Sequence, residues 1–431
     1  MALIAFSRPL ACGLLSFAAL ANCGHVSQGT VPPVVLIPDK GNAVAVWSEI
    51  GAATVNTTVA TSATEAEKYV AFPADMATMH LAMYDALVAI DRRYRPVHFA
   101  PAQPATGASV DAATAAAAYG VLRALFPSRA AHYQQAYDDY IAAIPESAGK
   151  ASGISLGAAA AAAHLQRRAS DGRSTELRPY AANPDAGRFR GVNPINRNWP
   201  SIRPFILSSI SQFRPARPPA LSSAEYAADF IEVKELGGKA SARRTAEQLE
   251  TARFHSEPPV AHLTRNYARF ARTTNDTVAA ARLMAAMYAN YADAISACLD
   301  AKYHYDTWRP QSAIPLADTD NNPATIADAA WTPVIPTPNH PEYPAAHSCA
   351  SASLGELLRQ YYGTDRVTFS WDSKVTGTTR SYTNTDGLTR DSQMARIYGG
   401  MHFRYSTTAG EVLGKQVAQW TMRNAFAAEP K

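Results

Sequence analysis

Apolar residues recur every three or four positions along most of the chain, and this spacing predicts helices. In one example Met76, Met79, Met83 and Leu87 fall on one face of a helix that begins near Ala71. Segments with the same helical pattern cover residues 113–126, 131–144, 153–168, 224–236, 242–255, 263–272, 277–308, 347–361, 392–398 and 408–426. Residues 367–383 are rich in β-branched side chains and predict a short hairpin. The pattern therefore predicts an all-α fold, a helical bundle with little strand.

Two proline-rich stretches interrupt the helical pattern, because proline breaks the interior of a helix. The first, residues 180–220, contains large apolar side chains that need burial, so we expect it to wrap around the bundle. The second lies between residues 315 and 344. Four parts are predicted along the chain: a signal peptide over 1–22, an extended lead-in over 23–70, an N-terminal helical half with the proline-rich wrap over 71–220, and a C-terminal helical half over 221–431 that carries the candidate chemistry.

Residues 1–22 have the pattern of an export signal. Arg8 precedes an apolar run from Leu10 to Leu20, and small residues follow this run. Export would place the protein in the periplasm or outside the cell. Residues 20–23 also resemble a bacterial lipoprotein box, so one alternative is a lipid anchor at Cys23, and another is a buried helix of the fold. No later stretch reaches about 18 unbroken apolar residues, so no transmembrane span is expected.

Composition and charge narrow the function classes only slightly. Of the 431 residues, 47% are apolar and 18% are charged, an ordinary balance for a globular protein. The formal net charge of +4 is too small to indicate a nucleic-acid partner. Beyond residue 23 the cysteines are Cys298 and Cys349, which in an exported protein form either a disulfide or two buried free thiols.

Three short motifs carry the candidate chemistry. The first, KYHYDTWRP, contains Lys302 and Arg309; the second, YPAAHS, contains His347; the third, ARIYGGMHF, contains Arg396 and His402. A lysine and two arginines match the oxygens of a phosphate-like anion. One histidine can bond the central atom of such an anion while the other moves a proton.

The spacing within the motifs indicates how their side chains converge. Positions seven apart lie on one face of a helix, so Lys302 and Arg309 are predicted to project in the same direction. Asp306, four positions after Lys302, is then placed to pair with it. The two glycines of the third motif are expected to end or distort a helix there, which lets His402 turn inward.

Together these motifs resemble the signature of the vanadium haloperoxidase and type 2 phosphatidic acid phosphatase (PAP2) superfamily. That signature is Lys, six residues, Arg-Pro; then Pro-Ser-Gly-His; then Ser-Arg, five residues, His. Lys302, Arg309 and Pro310 match its first part, and the second and third parts are matched by Pro344 with His347 and by Arg396 with His402. The stretches MHLAMYDALVAI and AAAAYGVLRALFP also resemble the helical N-terminal half of soluble bacterial haloperoxidase-like members.

The resemblance implies a bound vanadate cofactor, whose place phosphate can also take. It implies that the anion oxygens are bound by Lys302, Arg309, Arg396 and the backbone N–H of Ala346. His402 would be the ligand to vanadium in a peroxidase, or the nucleophile in a phosphatase. His347 would be the acid/base on the opposite side, and the second ring nitrogen of His402 would be fixed by a carbonyl or a carboxylate.

The sequence departs from the family signature at three positions. Ala345 and Ala346 replace the Ser and Gly before His347, and Ala395 replaces the Ser before Arg396. Ala345 has no hydroxyl to donate to the anion, so weaker anion affinity is expected.

Two further residues are assigned to the substrate pocket. At the position of His340 the resemblance implies an aromatic residue or a histidine that tunes halide oxidation, and histidine there is similar to the bromide-oxidising members. Trp308, next to Arg309, either forms a wall of this pocket or packs in the core.

Three functions are consistent with this sequence. The first is a vanadate-dependent haloperoxidase that oxidises bromide or iodide, rather than chloride, with hydrogen peroxide. The second is a PAP2-type acid phosphatase that hydrolyses phosphomonoesters through a phosphohistidine. The third is an exported oxyanion-binding protein without turnover, suggested by the missing serine.

Overall fold

The computed structural model describes residues 31–61 and 71–430, and helices form most of this part of the chain. Before the first proline-rich stretch the α-helices are α1 (Ala43–Thr61), α2 (Met76–Asp91), α3 (Val110–Leu125), α4 (Ala130–Ala142) and α5 (Ala148–Arg168). After it they are α6 (Ala224–Gly237), α7 (Ala246–Phe254), α8 (Pro259–Ala271), α9 (Thr277–Tyr305), α10 (Pro310–Ala313), α11 (Ala346–Tyr362), α12 (Gly387–Tyr398) and α13 (Arg404–Asn424). The predicted all-α fold is confirmed.

Helix α9 is the central element of the bundle. Most of its 29 residues are buried, so other elements surround it, and its buried residues include the charged side chains Asp293 and Lys302. Helices α2, α11 and α13 pack against it. Its C-terminal end carries the first motif, and α11 begins with the second, so this packing brings the two motifs together.

Two glycines allow α13 to lie directly against the first turns of α11. A Cβ atom at Gly410 would lie 2.6 Å from the carbonyl oxygen of Ala345, and one at Gly414 would lie 2.3 Å from that of Cys349. No side chain fits at these distances. Glycine at both positions therefore fixes how close α13 comes to the helix that carries His347.

The short sheet agrees with the predicted hairpin. Strands β2 (Val367–Ser373) and β3 (Thr378–Tyr382) are antiparallel, with Phe369 opposite Tyr382. The two-residue strand β1 (Val34–Val35) pairs with β2 in parallel. Alternate side chains of β2 are buried, and one of them, Trp371, lines the cavity described below.

The first proline-rich stretch is held on the bundle, as expected, by a buried carboxylate of α9. Asp293 accepts backbone hydrogen bonds from Phe205, Ile206 and Leu207 at 2.7–2.9 Å. Trp199 and Phe205 belong to the main hydrophobic core. A buried carboxylate needs such donors, and loop amides need acceptors, so each satisfies the other.

The prediction of an extended lead-in is wrong for residues 43–61, which form α1. Val44, Trp47 and Val55 of this helix are completely buried in the main core. The segment contains many Thr and Val residues, which are weak helix formers, besides several Ala residues, and burial of one apolar face outweighs the weak preference of the former. Tertiary packing against α8 thus determines its structure.

The predicted signal peptide over 1–22 and the alternative anchor at Cys23 lie outside the described residues. The division into parts 71–220 and 221–431 stays a prediction. Among the helices of residues 31–61 and 71–430, none is both long enough and apolar enough to cross a membrane.

Candidate active site

The three motifs converge through turns rather than along one helix. Helix α9 ends at Tyr305, and Asp306 adopts a left-handed conformation (φ 52°) that reverses the chain before Arg309. Asp306 accepts a hydrogen bond from Tyr180 instead of pairing with Lys302. The prediction of one shared helix face is therefore wrong, although Lys302 and Arg309 still approach the same loop.

The third motif turns at its glycines, as predicted. Helix α12 ends at Tyr398, and Gly400 has a φ of 77°, a conformation that favours glycine. A Cβ atom there would lie 2.5 Å from the carbonyl oxygen of Gly237. The turn returns the chain so that His402, which is buried, lies beside Arg309.

Arg309 contacts two of the site histidines, His402 and His340. It is 2% exposed, and all three of its guanidinium nitrogens donate hydrogen bonds. Nη1 donates to the Nε2 atom of His402 at 2.8 Å, and Nη2 donates to the Nδ1 atom of His340 at 3.0 Å. Burial lowers the pKa of Arg309 to about 10, so it remains a cation at neutral pH. Both acceptor nitrogens are therefore unprotonated.

Glu342 fixes the tautomer of His402. The Nδ1 atom of His402 lies 2.8 Å from the Oε1 atom of Glu342, which also accepts the backbone N–H of Phe403. The proton of His402 is thus on Nδ1, and Nε2 keeps its lone pair. Burial and the nearby cations lower the pKa of His402 well below its usual range, which keeps the ring neutral. A neutral imidazole with a fixed tautomer is what a metal ligand or a nucleophile requires.

Lys302 is buried behind this cluster and does not line the cavity. Its ammonium donates to the carbonyl oxygens of Pro341 at 3.0 Å and Glu342 at 2.7 Å, which leaves one N–H. Burial, and then the charge of Arg309, lower its pKa well below the usual range. Lys302 therefore holds the loop that carries Glu342 as well as adding positive charge.

Arg396 and His347 form the opposite wall. The Nη1 atom of Arg396 lies 3.3 Å from the Nε2 atom of His347, and its Nη2 atom donates to the carbonyl oxygen of His255 at 2.6 Å. The Nε atom of Arg396 is buried and has no hydrogen-bond partner in the described part of the chain. Burial lowers the pKa of Arg396 to about 9 and that of His347 well below its usual range.

The first turn of α11 supplies backbone donors between these walls. Ala345 is its N-cap residue and, lacking a polar side chain, makes no side-chain cap. The N–H groups of Ala346 and His347 have no acceptor within the helix, whereas those of Ser348 and Cys349 donate to the carbonyl oxygen of Ala345. An uncapped N-terminus that faces a cavity attracts an anion.

A cavity of about 230 Å³ adjoins the cluster. Five predicted site residues line it: His340, Ala346, His347, Arg396 and His402. Lys302 and Arg309 are behind this lining, in contact with it through the loop at 340–342 and through His402. The structure thus brings the predicted anion-site residues into one cluster, with Lys302 and Arg309 behind the cavity lining.

Trp308 is not part of the pocket. It is 1% exposed and belongs to a separate hydrophobic cluster with Phe230 and Phe403. The alternative of core packing is correct, because the left-handed turn at Asp306 directs Arg309 and Trp308 to different sides. His340, by contrast, lines the cavity, and its assignment to the halide stays a prediction.

Sequence reasoning missed Glu342 and His255. Glu342 lies in a proline-rich loop without periodicity, although a carboxylate or carbonyl partner for His402 was expected. His255 lines the cavity, and its Nε2 atom lies 3.0 Å from the Oδ2 atom of Asp391, a partner far along the chain. The sequence feature that could have indicated His255 is the segment HSEPPVAH, residues 255–262. Its second histidine, His262, also lines the cavity.

Ionisation of Glu342 should make the vanadate-free protein less stable as pH rises. Burial raises its pKa from 4.5 to about 7, against the opposing effect of Lys302 and Arg309. The folded protein then binds more protons than the unfolded chain between these values, so the stability contribution is lost as pH rises through about 7. The difference between the two pKa values corresponds to about 3 kcal/mol in the free energy of unfolding.

Urea unfolding at about pH 5 and about pH 8 measures this effect. Between the two values the wild type should lose about 2–3 kcal/mol more than Glu342→Gln, which has no proton to release at this position. An equal decline in both proteins would contradict the assignment.

Comparison with known proteins shows what this chain is similar to. Residues 282–428 match the model of the VCPO second helical-bundle domain. The fold is similar to that of a bacterial vanadium-dependent iodoperoxidase, with a TM-score of 0.74 and 21% identity over 91% of this chain and 100% of that chain. The holo form of a bacterial vanadium-dependent chloroperoxidase has a TM-score of 0.68 and 15% identity, over 89% of this chain and 97% of that chain. The apo form of a bacterial vanadium-dependent chloroperoxidase has a TM-score of 0.65 and 15% identity, over 83% of this chain and 93% of that chain. No curated protein matches the chain.

Proposed function

We propose that this member of the vanadium haloperoxidase and PAP2 superfamily is a vanadate-dependent haloperoxidase that oxidises bromide or iodide with hydrogen peroxide. The observation that carries the proposal is the Nε2 lone pair of His402. It lies in a buried cluster where three cations, Lys302, Arg309 and Arg396, accompany a single carboxylate, Glu342.

The residues of this cluster fit vanadate. Buried cations without matching anions are costly, and an oxyanion compensates them. The unpartnered Nε atom of Arg396 and the uncapped N-terminus of α11 are donors that such an anion satisfies. Arg309, Arg396 and the N–H of Ala346 would hold its oxygens, Lys302 would add charge, and His402 Nε2 would be the ligand to vanadium.

The bound vanadate would supply Lewis-acid activation of peroxide. The protein's own residues would do the rest. His347, kept neutral by burial and by Arg396, accepts a proton from hydrogen peroxide and returns one to the departing oxygen. Glu342 holds His402 in the required tautomer. The surrounding apolar lining limits the access of water, which strengthens each electrostatic contact.

The halide part of the proposal rests on His340. Its Nδ1 atom accepts from Arg309, so its remaining proton is on Nε2 and can donate to a halide in the cavity. Bromide and iodide are less strongly hydrated than chloride and enter a largely apolar cavity at lower cost.

A paired assay on one metal-free sample tests the proposal. Peroxide-dependent bromide or iodide oxidation that appears only after vanadate is added supports it. The same Nε2 lone pair is a competent phosphorus nucleophile. Phosphomonoester hydrolysis without vanadate, and no halide oxidation with it, would therefore show a phosphatase. Vanadate binding with neither activity would show an oxyanion-binding protein.

Export is a further part of the proposal. It rests on the pattern of residues 1–22, and a bond between Cys298 and Cys349 agrees with an oxidising compartment. Fractionation of expressing cells, with mass analysis of the mature N-terminus, tests it and distinguishes a cleaved protein from one anchored at Cys23.

Arg396→Ala should weaken vanadate binding by about 10- to 150-fold. The change removes a buried guanidinium that donates charge-assisted hydrogen bonds, which are worth about 1.5–3 kcal/mol each. Calorimetric titration with vanadate, with phosphate as competitor, measures the affinity. Arg404→Ala is the matched control, because Arg404 is exposed on α13 and pairs with Glu232. Unchanged affinity in Arg396→Ala would refute the placement of the anion.

A further inference from the structure

The cavity contains an apolar region that halide oxidation does not need. Halide and peroxide are small, whereas the volume of about 230 Å³ exceeds the roughly 150 Å³ of an engineered apolar cavity that binds benzene. Most of the lining is apolar, and its largest members are Phe72, Tyr267, Tyr291, Leu299, Leu354 and Trp371. Such an apolar pocket with a few polar groups at one end is typical of small-molecule sites.

The aromatic residues of this region form a continuous wall. The rings of Phe72 and Tyr291 are 5.1 Å apart, those of Tyr267 and Tyr291 are 6.0 Å apart, and those of Tyr267 and Trp371 are 6.2 Å apart. Edge contacts between neighbouring rings hold each of them in place. A fixed wall of ring faces and edges favours a flat aromatic ligand over a flexible aliphatic one.

His255 adds a specific hydrogen-bond acceptor to the polar end. Asp391 receives two bonds from Arg380 at 2.7 Å and one from the hydroxyl of Tyr382 at 2.7 Å, and it remains ionised. The His255 Nε2 atom at 3.0 Å must therefore donate to it. The lone pair of His255 is then on Nδ1, on a residue that lines the cavity.

The other cavity histidines are already engaged. His262 Nε2 accepts from the indole N–H of Trp371 at 2.8 Å. His347 lies beside Arg396, while His340 and His402 accept from Arg309. Among the described lining residues, His255 is thus the histidine that the anion site leaves for another ligand.

We propose that this cavity binds a phenol-class aromatic acceptor, whose hydroxyl donates to His255 Nδ1 and whose ring lies against the aromatic wall, so that the halogen is transferred inside the protein. The inference rests on the proposed function, which supplies hypohalous acid from halide, peroxide and a proton. A ring carbon takes the halogen, the carbon–hydrogen bond breaks, and the released proton combines with the hydroxide of hypohalous acid as water.

Binding without turnover tests the site directly. Phenol and its methyl ether, anisole, are titrated into the protein without peroxide or halide and followed by calorimetry. The wild type should bind one phenol, and His255→Ala should bind phenol about tenfold more weakly, the effect of one lost hydrogen bond, while anisole binding is unchanged.

Two tryptophan variants provide the matched comparison. Leu354→Trp fills the apolar region and should abolish the binding of both ligands. Val412→Trp adds the same side chain at an exposed position of α13 and should bind both as the wild type does. Melting temperatures confirm that each variant is folded. No saturable binding of phenol, or equal binding in wild type and His255→Ala, would overturn the inference.

Product analysis separates this inference from the proposed function. With bromide, peroxide and vanadate, the wild type should give an ortho-to-para ratio of bromophenols that differs from that of reagent hypobromous acid, and His255→Ala should approach the reagent ratio. Bromide oxidation with the reagent ratio in both proteins would refute the bound acceptor and leave the peroxidase intact. His255-dependent phenol binding without bromide oxidation would refute the peroxidase and support the aromatic site.

Discussion

Replacement of His402 by alanine should abolish halide oxidation and lower vanadate affinity by more than about 100-fold. Loss of an outer-shell partner of a metal ligand already costs about 10- to 100-fold, and loss of the ligand itself costs more. In this protein Glu342 and Arg309 jointly orient the Nε2 lone pair of His402. Calorimetric titration with vanadate and an assay of triiodide formation measure the two effects.

The matched comparison is His347→Ala. His347 is assigned to proton transfer, so its loss should lower the rate by roughly 10²–10⁴-fold while vanadate affinity changes little. The two variants thus separate coordination from proton transfer. Retained vanadate affinity in His402→Ala, or a wild-type rate in either variant, would be incompatible with these roles.

Removal of the disulfide should lower the free energy of unfolding by about 4 kcal/mol. Cys298 of α9 and Cys349 of α11 are bonded, with Cα atoms 6.5 Å apart, and they close a loop of 51 residues. In the chain-entropy model, closing a loop of this length stabilises the folded protein by about 4 kcal/mol, because the bond lowers the conformational entropy of the unfolded chain. Urea unfolding of the Cys298→Ala, Cys349→Ala double variant measures the loss.

Reductant provides the control for this prediction. It should destabilise the wild type to a similar extent and leave the double variant unchanged. Intact mass after alkylation, in unfolded protein with and without reductant, reports the bond itself. Two freely alkylated thiols in the unreduced wild type would show that the stability of the isolated protein does not depend on this bond.

Much of the site was predictable because its signature is local. Each of the three motifs has a fixed internal spacing, so Arg309, His347, Arg396 and His402 could be found without any knowledge of the turns that bring them together. The predicted mechanism of convergence was nevertheless wrong for the first motif. The left-handed turn at Asp306 has no distinctive sequence signal, since a non-glycine residue adopts it.

The parts of the site that sequence reasoning missed depend on contacts between distant segments. Glu342 is recognised as a site residue only from its contact with His402 in the structure. His255 is recognised in the same way from its contact with Asp391. The same cause explains α1, whose Thr and Val residues weaken the helical signal and whose structure depends on the core it packs against. Trp308 illustrates the reverse error, because adjacency to Arg309 in the chain did not place it at the cavity.

The cavity lining extends along the chain from Phe72 to His402, and this has a kinetic consequence. Contacts between residues so far apart in sequence form late in folding, after the local helices, because closing long loops costs entropy. During refolding, helical circular dichroism should therefore recover before anion binding does. A protein that regains its helices but not its affinity for vanadate would be a trapped intermediate, recognisable by that difference alone.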